Sequence, residues 1–312
     1  KRGISEFSVE KFEIGYAPVS IDTINFLKSN HYNLNDAIEL GVIDNGTNGL
    51  YSRFIERITF PIYSISGKLV GFGGRTITGH NAKYVNSPQT KLFNKSRLLY
   101  GYHLAKEQIY KKNQIIVCEG YLDVIMLHQA GFNTAVATLG TALTTEHLPL
   151  LRRGEPKVIL AYDGDKAGLA AAFKASVMLS QSEFEGGVII FADGLDPADM
   201  VHNGKINELN EIFSNPISFI PYAIDYIISK YDINDPNQKQ KALNEANEYL
   251  KSLSLLNQDE YKRYLAQKLN IRENLVKISS NKQRTFEPNL TKIDIAELCI
   301  IKSILEKPKR LD

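Results

Sequence analysis

The chain of 312 residues contains no tryptophan and only two cysteines, Cys118 and Cys299. The cysteines lie far apart and form no Cys-x-x-Cys motif or Cys/His cluster, so we expect neither disulfides nor zinc. No apolar run approaches the roughly 20 residues needed to cross a bilayer, and no signal peptide is visible. The sequence therefore predicts a cytoplasmic protein. Because Lys1 opens a segment that already looks folded, we expect this chain to be part of a longer protein.

Several common catalytic devices are also missing. The six histidines are scattered, and none pairs at metal-ligand spacing. No Gly-x-x-x-x-Gly-Lys-Ser/Thr loop is present, which argues against a P-loop ATPase. Serine and cysteine nucleophiles lack a recognisable elbow or dyad. Acidic and basic residues therefore carry the functional prediction.

Charge is unevenly distributed, although the net charge is only +2. The stretch 83–112 holds seven Lys or Arg against one acid, whereas 193–211 holds five acids and one lysine. A basic surface beside an acidic pocket suits a polyanionic partner. The alternative for Lys106, Lys111 and Lys112 is a solvated helix face.

Pattern divides the chain into three parts, residues 1–112, 113–204 and 205–312. The first part mixes short helices and strands joined by Gly- and Asn-rich turns, which predicts an α+β subdomain. The second part alternates strand and helix, which predicts a parallel sheet with right-handed crossovers. From Asn207 onward no convincing strand is present, and helical periodicity predicts a small bundle. Within it, residues 279–289 have the composition of a linker.

Within these parts, the predicted helices are 20–29, 34–40, 121–130, 144–151 and 166–179, and the predicted strands are 57–63, 68–72, 114–118, 134–138, 157–161 and 187–192.

Three carboxylates follow the ends of two predicted buried strands. Glu119 comes directly after the apolar run 115–118, and Asp163 and Asp165 come after the run 158–162. Parallel strands deliver such residues to the carboxyl edge of a sheet, where α/β proteins place their sites. Gly164 permits a sharp turn between the two aspartates. Three carboxylates at one edge repel one another unless a cation lies between them, and oxygen ligands favour Mg²⁺ or Mn²⁺.

A further acidic group follows the last predicted strand. Asp193, Asp196 and Asp199 emerge at the same sheet edge, so one of them is a candidate ligand for a second ion. The alternative is structural, because Asp caps helices and Pro197 suits a first helical position.

The upstream region combines glycine, cations, an aromatic side chain and amides. The motif 71–75 contains three glycines and Arg75, and it permits close approach of a ligand or forms a tight hairpin. Lys83, Tyr84, Asn86 and Lys95 follow, a mixture suited to phosphate neutralisation and base stacking on a single strand. The residues that could add to this surface are lone arginines, whose alternative is an ion pair: Arg2, Arg53 and Arg57.

Taken together, these motifs resemble the RNA polymerase domain of bacterial replicative primases, the DnaG family, which contains a Toprim fold. Four of them are similar to its Toprim domain: Glu119-Gly-Tyr-x-Asp123, Ala137-Thr-Leu-Gly-Thr141, Tyr162-Asp-Gly-Asp-x-Ala-Gly168 and Asp193-Gly-x-Asp-Pro197. Four others are similar to its N-terminal subdomain: Arg57-Ile-Thr-Phe-Pro-Ile62, Gly71-Phe-Gly-Gly-Arg75, Lys83-Tyr-Val-Asn-Ser-Pro88 and Phe93-Asn-Lys-Ser-Arg-Leu-Leu-Tyr-Gly101. Some relatives carry Asp-Pro-Asp where this chain has Asp196-Pro-Ala-Asp199.

The resemblance implies an α/β fold in which a Toprim-type parallel sheet is flanked by an N-terminal α+β subdomain and a C-terminal helical bundle. It implies a primase that makes short RNA primers on single-stranded DNA from nucleoside triphosphates. Glu119, Asp163 and Asp165 match the catalytic metal-binding acids, and Asp123 a supporting acid. The implied template and nucleotide residues are Arg2, Arg57, Arg75, Lys83, Tyr84, Asn86 and Lys95.

By the same resemblance, the zinc module and the helicase-binding domain are expected to be absent, so the replicative helicase would bind only through a missing domain. We expect a monomer at the bacterial replication fork that needs Mg²⁺ or Mn²⁺. Whether Glu119 is a metal ligand or an acid/base group stays open. Two alternatives are a non-catalytic nucleic-acid binding module with a Toprim fold and a topoisomerase with a tyrosine nucleophile.

Overall fold

A computed structural model describes residues 3–79, 82–191 and 194–278 of the chain. Arg2, Asp193, Cys299 and the predicted linker 279–289 lie outside the described residues.

The elements follow the alternation that the sequence predicts. The helices are α1 (Glu6–Lys11), α2 (Ser20–Ser29), α3 (Leu34–Glu39), α4 (Tyr102–Lys112), α5 (Tyr121–Gln129), α6 (Leu148–Leu151), α7 (Lys166–Gln181), α8 (Pro197–His202), α9 (Ile206–Ser214), α10 (Phe219–Ser229), α11 (Pro236–Lys251) and α12 (Leu255–Lys268). The strands are β1 (Gly15–Ala17), β2 (Ile43–Gly46), β3 (Gly49–Ser52), β4 (Arg57–Tyr63), β5 (Leu69–Thr76), β6 (Tyr84–Asn86), β7 (Gln114–Cys118), β8 (Ala135–Ala137), β9 (Lys157–Ala161), β10 (Gly186–Ile189) and β11 (Ile217–Ser218).

A five-stranded sheet in the order β11-β10-β9-β7-β8 forms the centre of the fold. Strands β10, β9, β7 and β8 pair in parallel, whereas β11 pairs antiparallel to β10 at one edge. The carboxyl ends of β7 and β9 therefore lie side by side. This arrangement confirms the predicted α/β class with a Toprim-type parallel sheet.

Both faces of this sheet are buried, because alternate residues of each strand enter different cores. Ile116, Ile159 and Ile189 pack on the face that β4, α5 and α9 cover. Val117, Leu160 and Val188 pack on the opposite face, against helices α4, α7 and α10. Such continuous apolar strands are typical of parallel sheets covered by helices on both sides.

The N-terminal part builds a second, antiparallel sheet in the order β1-β4-β5-β6, and it shares a core with the central sheet. Phe60 of β4 stacks on Tyr121 of α5, with ring centroids 5.0 Å apart. Tyr100 forms a bridge with Ala137 of β8, through an N–H···O bond of 2.8 Å in one direction and 3.1 Å in the other. The core that contains Ile116 and Ile159 therefore includes residues from both sides of the predicted boundary at residue 112.

The C-terminal helices α10, α11 and α12 enclose a third core, which includes Ile224, Ala246 and Leu265. The prediction that no strand follows Asn207 is wrong, because Ile217 and Ser218 form β11. A side chain at Gly187 would overlap the carbonyl oxygen of Ile217, so this pairing needs the glycine. Within the described residues, no helix is long and apolar enough to span a membrane.

Strand β5 is longer than predicted and contains the whole glycine-rich motif. An added Cβ at Gly73 would lie 2.5 Å from the Tyr121 ring, and one at Gly71 would lie 2.7 Å from the Phe93 ring. These glycines therefore allow aromatic side chains to pack against the strand, which is a different role from the ligand approach or hairpin that the sequence indicates.

Candidate functional site

The structure brings Glu119 and Asp163 together at the carboxyl edge of the central sheet. Glu119 directly follows β7, and Asp163 follows β9, the neighbouring parallel strand. The backbone N–H of Asp163 donates to Oε1 of Glu119 over 3.3 Å. Both side chains are half-buried and line one pocket of about 270 Å³.

Burial and neighbouring charge make both of these carboxylates harder to ionise. Burial raises the pKa of Glu119, and the Asp163 carboxylate raises it further, against the N–H bond from Asp163. Burial likewise raises the pKa of Asp163, as do the nearby carboxylates of Asp196 and Asp165, while Lys83 opposes the shift. Carboxylates that repel one another at a partly desolvated edge form a favourable environment for a cation.

Asp165 and Asp196 reach the same edge as helix caps. Oδ1 of Asp165 accepts the N–H of Gly168 at 2.7 Å and begins α7, which is 16 residues long. Oδ1 of Asp196 accepts the N–H of Asp199 at 2.6 Å and begins α8. The capping alternative that the sequence left open for Asp196 is therefore present, and the cap at Asp165 is an additional role.

Two glycines fix the loop between β9 and α7. A Cβ at Gly164 would overlap the carbonyl oxygen of Phe191, and one at Gly168 would overlap that of Asp163. Neither glycine has a left-handed φ. Gly164 is therefore needed for close backbone packing rather than for an unusual turn.

Asp123 lines the same pocket, although the residue is almost completely buried. Its side chain is buried, and Oδ2 accepts the N–H of Gly120 at 3.0 Å. Burial holds the pKa of Asp123 well above its usual range. The bond from Gly120 to Asp123 therefore orients the Glu119-Gly120 turn.

Lys83, Tyr84 and Arg75, which we call the basic wall, line the same pocket. Lys83 is exposed, and the Arg75 guanidinium lies 5.8 Å from the centre of the Tyr84 ring. Nε of Arg75 is buried and has no hydrogen-bond partner within the described residues. Cations and an aromatic ring therefore line the same pocket as the acids.

Asn86 and Tyr121 connect the basic wall to the acidic edge. The Tyr121 hydroxyl donates to Oδ1 of Asn86 at 2.5 Å, and Nδ2 of Asn86 donates to the Leu139 carbonyl at 2.8 Å. Asn86 thus holds β6 against helix α5 and against the segment that follows β8. The sequence did not single out Tyr121, whose only signal was its place in the Glu119-Gly-Tyr motif.

Arg57 does not line the carboxylate pocket, unlike Arg75, Lys83 and Tyr84, and its predicted template or nucleotide role stays a prediction. Only 4% of the residue is exposed. Its guanidinium donates to the carbonyl oxygens of Gly74, Lys83 and Ala82 at 3.4, 3.3 and 2.9 Å. Those bonds tie the segment that carries Lys83 to the buried side chain of Arg57.

Lys95 is half-buried at the start of a 3₁₀ turn, Lys95–Arg97. Asn94 caps that turn by accepting the N–H of Ser96 at 3.0 Å. Lys95 is absent from the lining of the carboxylate pocket, so its template role stays a prediction.

The carboxylates fit a hard divalent cation by donor type, because all are oxygen ligands. Across residues 3–79, 82–191 and 194–278, however, no group of three or more His, Cys, Asp or Glu is arranged so that it could hold a metal ion. The cap bond occupies one oxygen of Asp165 and leaves its second oxygen for a ligand.

The fold and the acidic sheet edge define a Toprim-type α/β protein. Family comparisons agree: residues 113–190 match the Toprim domain, and residues 1–106 match the N-terminal domain of the DNA primase catalytic core. Residues 222–274 match the DnaB-helicase binding domain of primase. The Toprim match implies use of a divalent metal ion.

Similar proteins lead to the same family. A DNA primase of Helicobacter pylori is 53% identical over 268 residues, which are 85% of this chain and 48% of that relative. The RNA polymerase domain of Mycobacterium tuberculosis primase DnaG has a TM-score of 0.78 and 32% identity, covering 85% of this chain and 88% of that one. A DnaG primase catalytic domain bound to single-stranded DNA gives a TM-score of 0.77 and 30% identity, covering 88% of each chain. The chain belongs to the DnaG family of bacterial primases, and it spans about half the length of the curated relatives that it matches.

One expectation is overturned by these comparisons. The helicase-binding domain was predicted to be absent, yet residues 222–274 match a model of that description. Helical periodicity predicts the bundle in this region, but amphipathic helices alone do not reveal what they bind.

Replacing Asp163 by Asn tests the electrostatics of the site. Its raised pKa means that ionised Asp163 costs stability above its folded-state pKa; this cost declines as the pH falls below that value and is gone below the pKa of the unfolded chain. At neutral pH, Asp163→Asn should therefore melt no lower than wild type without metal. Saturating Mg²⁺ should raise the Tm of wild type and raise that of the variant less, with about 2–4 °C for each kcal/mol of binding energy lost.

The matched control is Glu107→Gln, at an exposed position on α4, which should retain the full Mg²⁺ response. Thermal melting with and without Mg²⁺ measures both effects. An equal Mg²⁺ response in Asp163→Asn and wild type would contradict a metal role for this side chain.

Proposed function

We propose that this chain is the polymerising part of a primase, which joins ribonucleotides into short RNA primers on a single-stranded DNA template. The observation that carries this proposal is the pairing of an acidic sheet edge, at Glu119 and Asp163, with a basic and aromatic wall in one pocket. Membership of the DnaG family supports the same activity.

In this proposal Glu119, Asp163 and Asp165 hold Mg²⁺ or Mn²⁺, with Asp196 placed for a second ion. Bound there, a divalent cation neutralises triphosphate charge and lowers the pKa of the primer 3′-hydroxyl. Asp123 orients the turn that carries Glu119. Arg75 and Lys83 neutralise phosphate oxygens from the basic wall, so catalysis is mainly positioning and charge stabilisation.

The template and nucleotides would lie along the wall of Arg75, Lys83 and Tyr84 and continue toward Lys95. An exposed cation beside an aromatic ring suits a single strand, because phosphates and bases then both find a partner. A solved relative is described as bound to single-stranded DNA, which supports this placement. Asn86 is better placed to hold the wall than to touch the template, since both ends of its amide are bonded within the protein.

Retention of these acids favours an enzyme over a non-catalytic Toprim module. We also propose the subdomain limits 1–112, 113–204 and 205–312, a monomeric state and a cytoplasmic location at the replication fork. The relatives, which are DNA primases, support the last of these.

We propose that the matched helical region, 222–274, contacts the replicative helicase. Its most exposed apolar residues are Leu255 and Leu256, at 54% and 85%, in the first turn of α12. Adjacent exposed leucines on a charged helix are a typical anchor for a partner protein.

Asp165→Asn tests the enzymatic proposal. Asn retains an oxygen for the cap of α7 but removes the charge, so the fold should persist. We expect loss of primer synthesis by about a hundredfold or more at saturating Mg²⁺, with retention of single-stranded DNA binding. Glu107→Gln serves as the control. Primer synthesis by Asp165→Asn at the wild-type rate would reject the metal assignment.

Leu256→Asp tests the helicase surface in the whole chain. Leu256 is the second residue of α12, where an acid suits the helix dipole, so the substitution should leave the helix intact. We expect helicase affinity to fall about tenfold or more in a co-elution or titration assay. The control is Ile77→Asp, a 56% exposed apolar residue outside 222–274. Equal binding by the two variants would show that α12 is not the contact.

A further inference from the structure

A buried histidine links the segment of Lys95 to the loop that borders the carboxylate pocket. His147 is fully buried at the end of a 3₁₀ turn, Thr145–His147, that follows β8. Its Nδ1 accepts the backbone N–H of Thr144 at 3.1 Å, and the Thr144 hydroxyl lies 3.0 Å from the same nitrogen. Its Nε2 lies 3.1 Å from the carbonyl oxygen of Lys95.

These partners define one state of the ring. Because the Thr144 N–H donates to Nδ1, that nitrogen carries a lone pair, and the proton resides on Nε2, which donates to Lys95. Burial lowers the pKa of His147, which keeps the ring neutral. The imidazole therefore bridges two segments through one accepted and one donated bond.

The bond from His147 to the Lys95 carbonyl is a buried link between the 3₁₀ turns Thr145–His147 and Lys95–Arg97. Arg97 and Glu146 also connect them, with Nη2 and Oε1 3.3 Å apart, but both side chains are largely exposed. Exposed ion pairs contribute little to holding a segment in place. His147 is therefore the stronger restraint on Lys95.

The segment that leads to His147 begins with a contact to Asn86 of β6. Leu139 accepts the Asn86 amide at 2.8 Å, and Gly140 lines the carboxylate pocket beside it. The segment 139–147 thus joins Asn86, which lines the pocket, at one end and Lys95 at the other.

We propose that His147 is a positioning residue, which holds Lys95 at a fixed place relative to the carboxylate pocket so that its ammonium meets a template phosphate. This inference rests on the proposed function, in which Lys95 contacts nucleic acid. The competing explanation is that His147 only caps its own turn through Thr144.

Two isosteric variants separate the bridge from the cap. In His147→Asn, the amide lies near the position of Nδ1, so it still bonds Thr144 but is too short to reach Lys95. In His147→Gln, the amide nitrogen lies near the position of Nε2, so it still donates to the Lys95 carbonyl but leaves Thr144 without its acceptor. If His147 bridges to Lys95, His147→Asn should bind single-stranded DNA more weakly than His147→Gln. If His147 only caps its own turn, the order of the two affinities should be reversed.

The measurement is binding of a labelled single-stranded DNA oligonucleotide by fluorescence anisotropy, together with hydrogen exchange of the amides of Ser96 and Arg97. We expect His147→Asn to weaken binding roughly three- to tenfold, the effect of one lost buried hydrogen bond, and to speed exchange at both amides. His147→Gln should stay near wild type. In a Lys95→Ala background, His147→Asn should cause no further loss, because the two residues act through one contact.

Weaker binding by the Gln variant than by the Asn variant, or additive losses with Lys95→Ala, would overturn the inference. Wild-type affinity of Lys95→Ala would also overturn it, by removing the contact that His147 is proposed to position. Failure here is distinct from failure of the proposed function, which the Asp165→Asn synthesis assay tests separately.

Discussion

The proposed chemistry of the site depends on the mutual repulsion of carboxylates that the fold holds at one sheet edge. Glu119 and Asp163 are half-buried neighbours, and Asp165 and Asp196 add negative charge beside them. Lys83 opposes the raised pKa of Asp163, and the N–H bond from Asp163 opposes that of Glu119. A site that is costly for the protein alone is a favourable site for a divalent cation and the phosphates that it carries, and this cost links the fold to the proposed chemistry.

The fold tolerates this repulsion because rigid elements fix each acid. Parallel pairing of β7 and β9 sets the separation of Glu119 and Asp163, and helix caps hold Asp165 and Asp196. On the other side, the bond from Tyr121 to Asn86 and the buried guanidinium of Arg57 hold the basic wall. The two halves of the site therefore belong to one shared core rather than to independent units.

The sequence predicted the central sheet and the position of Glu119 and Asp163 at its edge well, because apolar strands that end in acid and glycine are a local signal. It predicted less about roles that depend on distant contacts. Arg57 looked like a surface cation, but carbonyl groups near Lys83 and Gly74 surround it. The glycines of β5 looked like a ligand loop, but they make room for Phe93 and Tyr121, which lie far along the chain.

The helicase-binding match shows a second limit of prediction from sequence. No local pattern in α10–α12 distinguishes a docking surface from an ordinary helical bundle. Exposure of Leu255 and Leu256 becomes visible only once the helices are packed. Likewise, Arg2 and Asp193 lie outside the described residues, so their predicted roles stay predictions.

The central claim is that a divalent cation occupies the acidic edge. Its most direct test is a crystal structure of the chain with Mn²⁺ and a nucleoside triphosphate, in which anomalous scattering locates the metal. The account predicts an anomalous peak in contact with oxygens of Glu119, Asp163 and Asp165, with the triphosphate facing Lys83. A metal-bound triphosphate located away from this edge, or no peak there at saturating Mn²⁺, would contradict it.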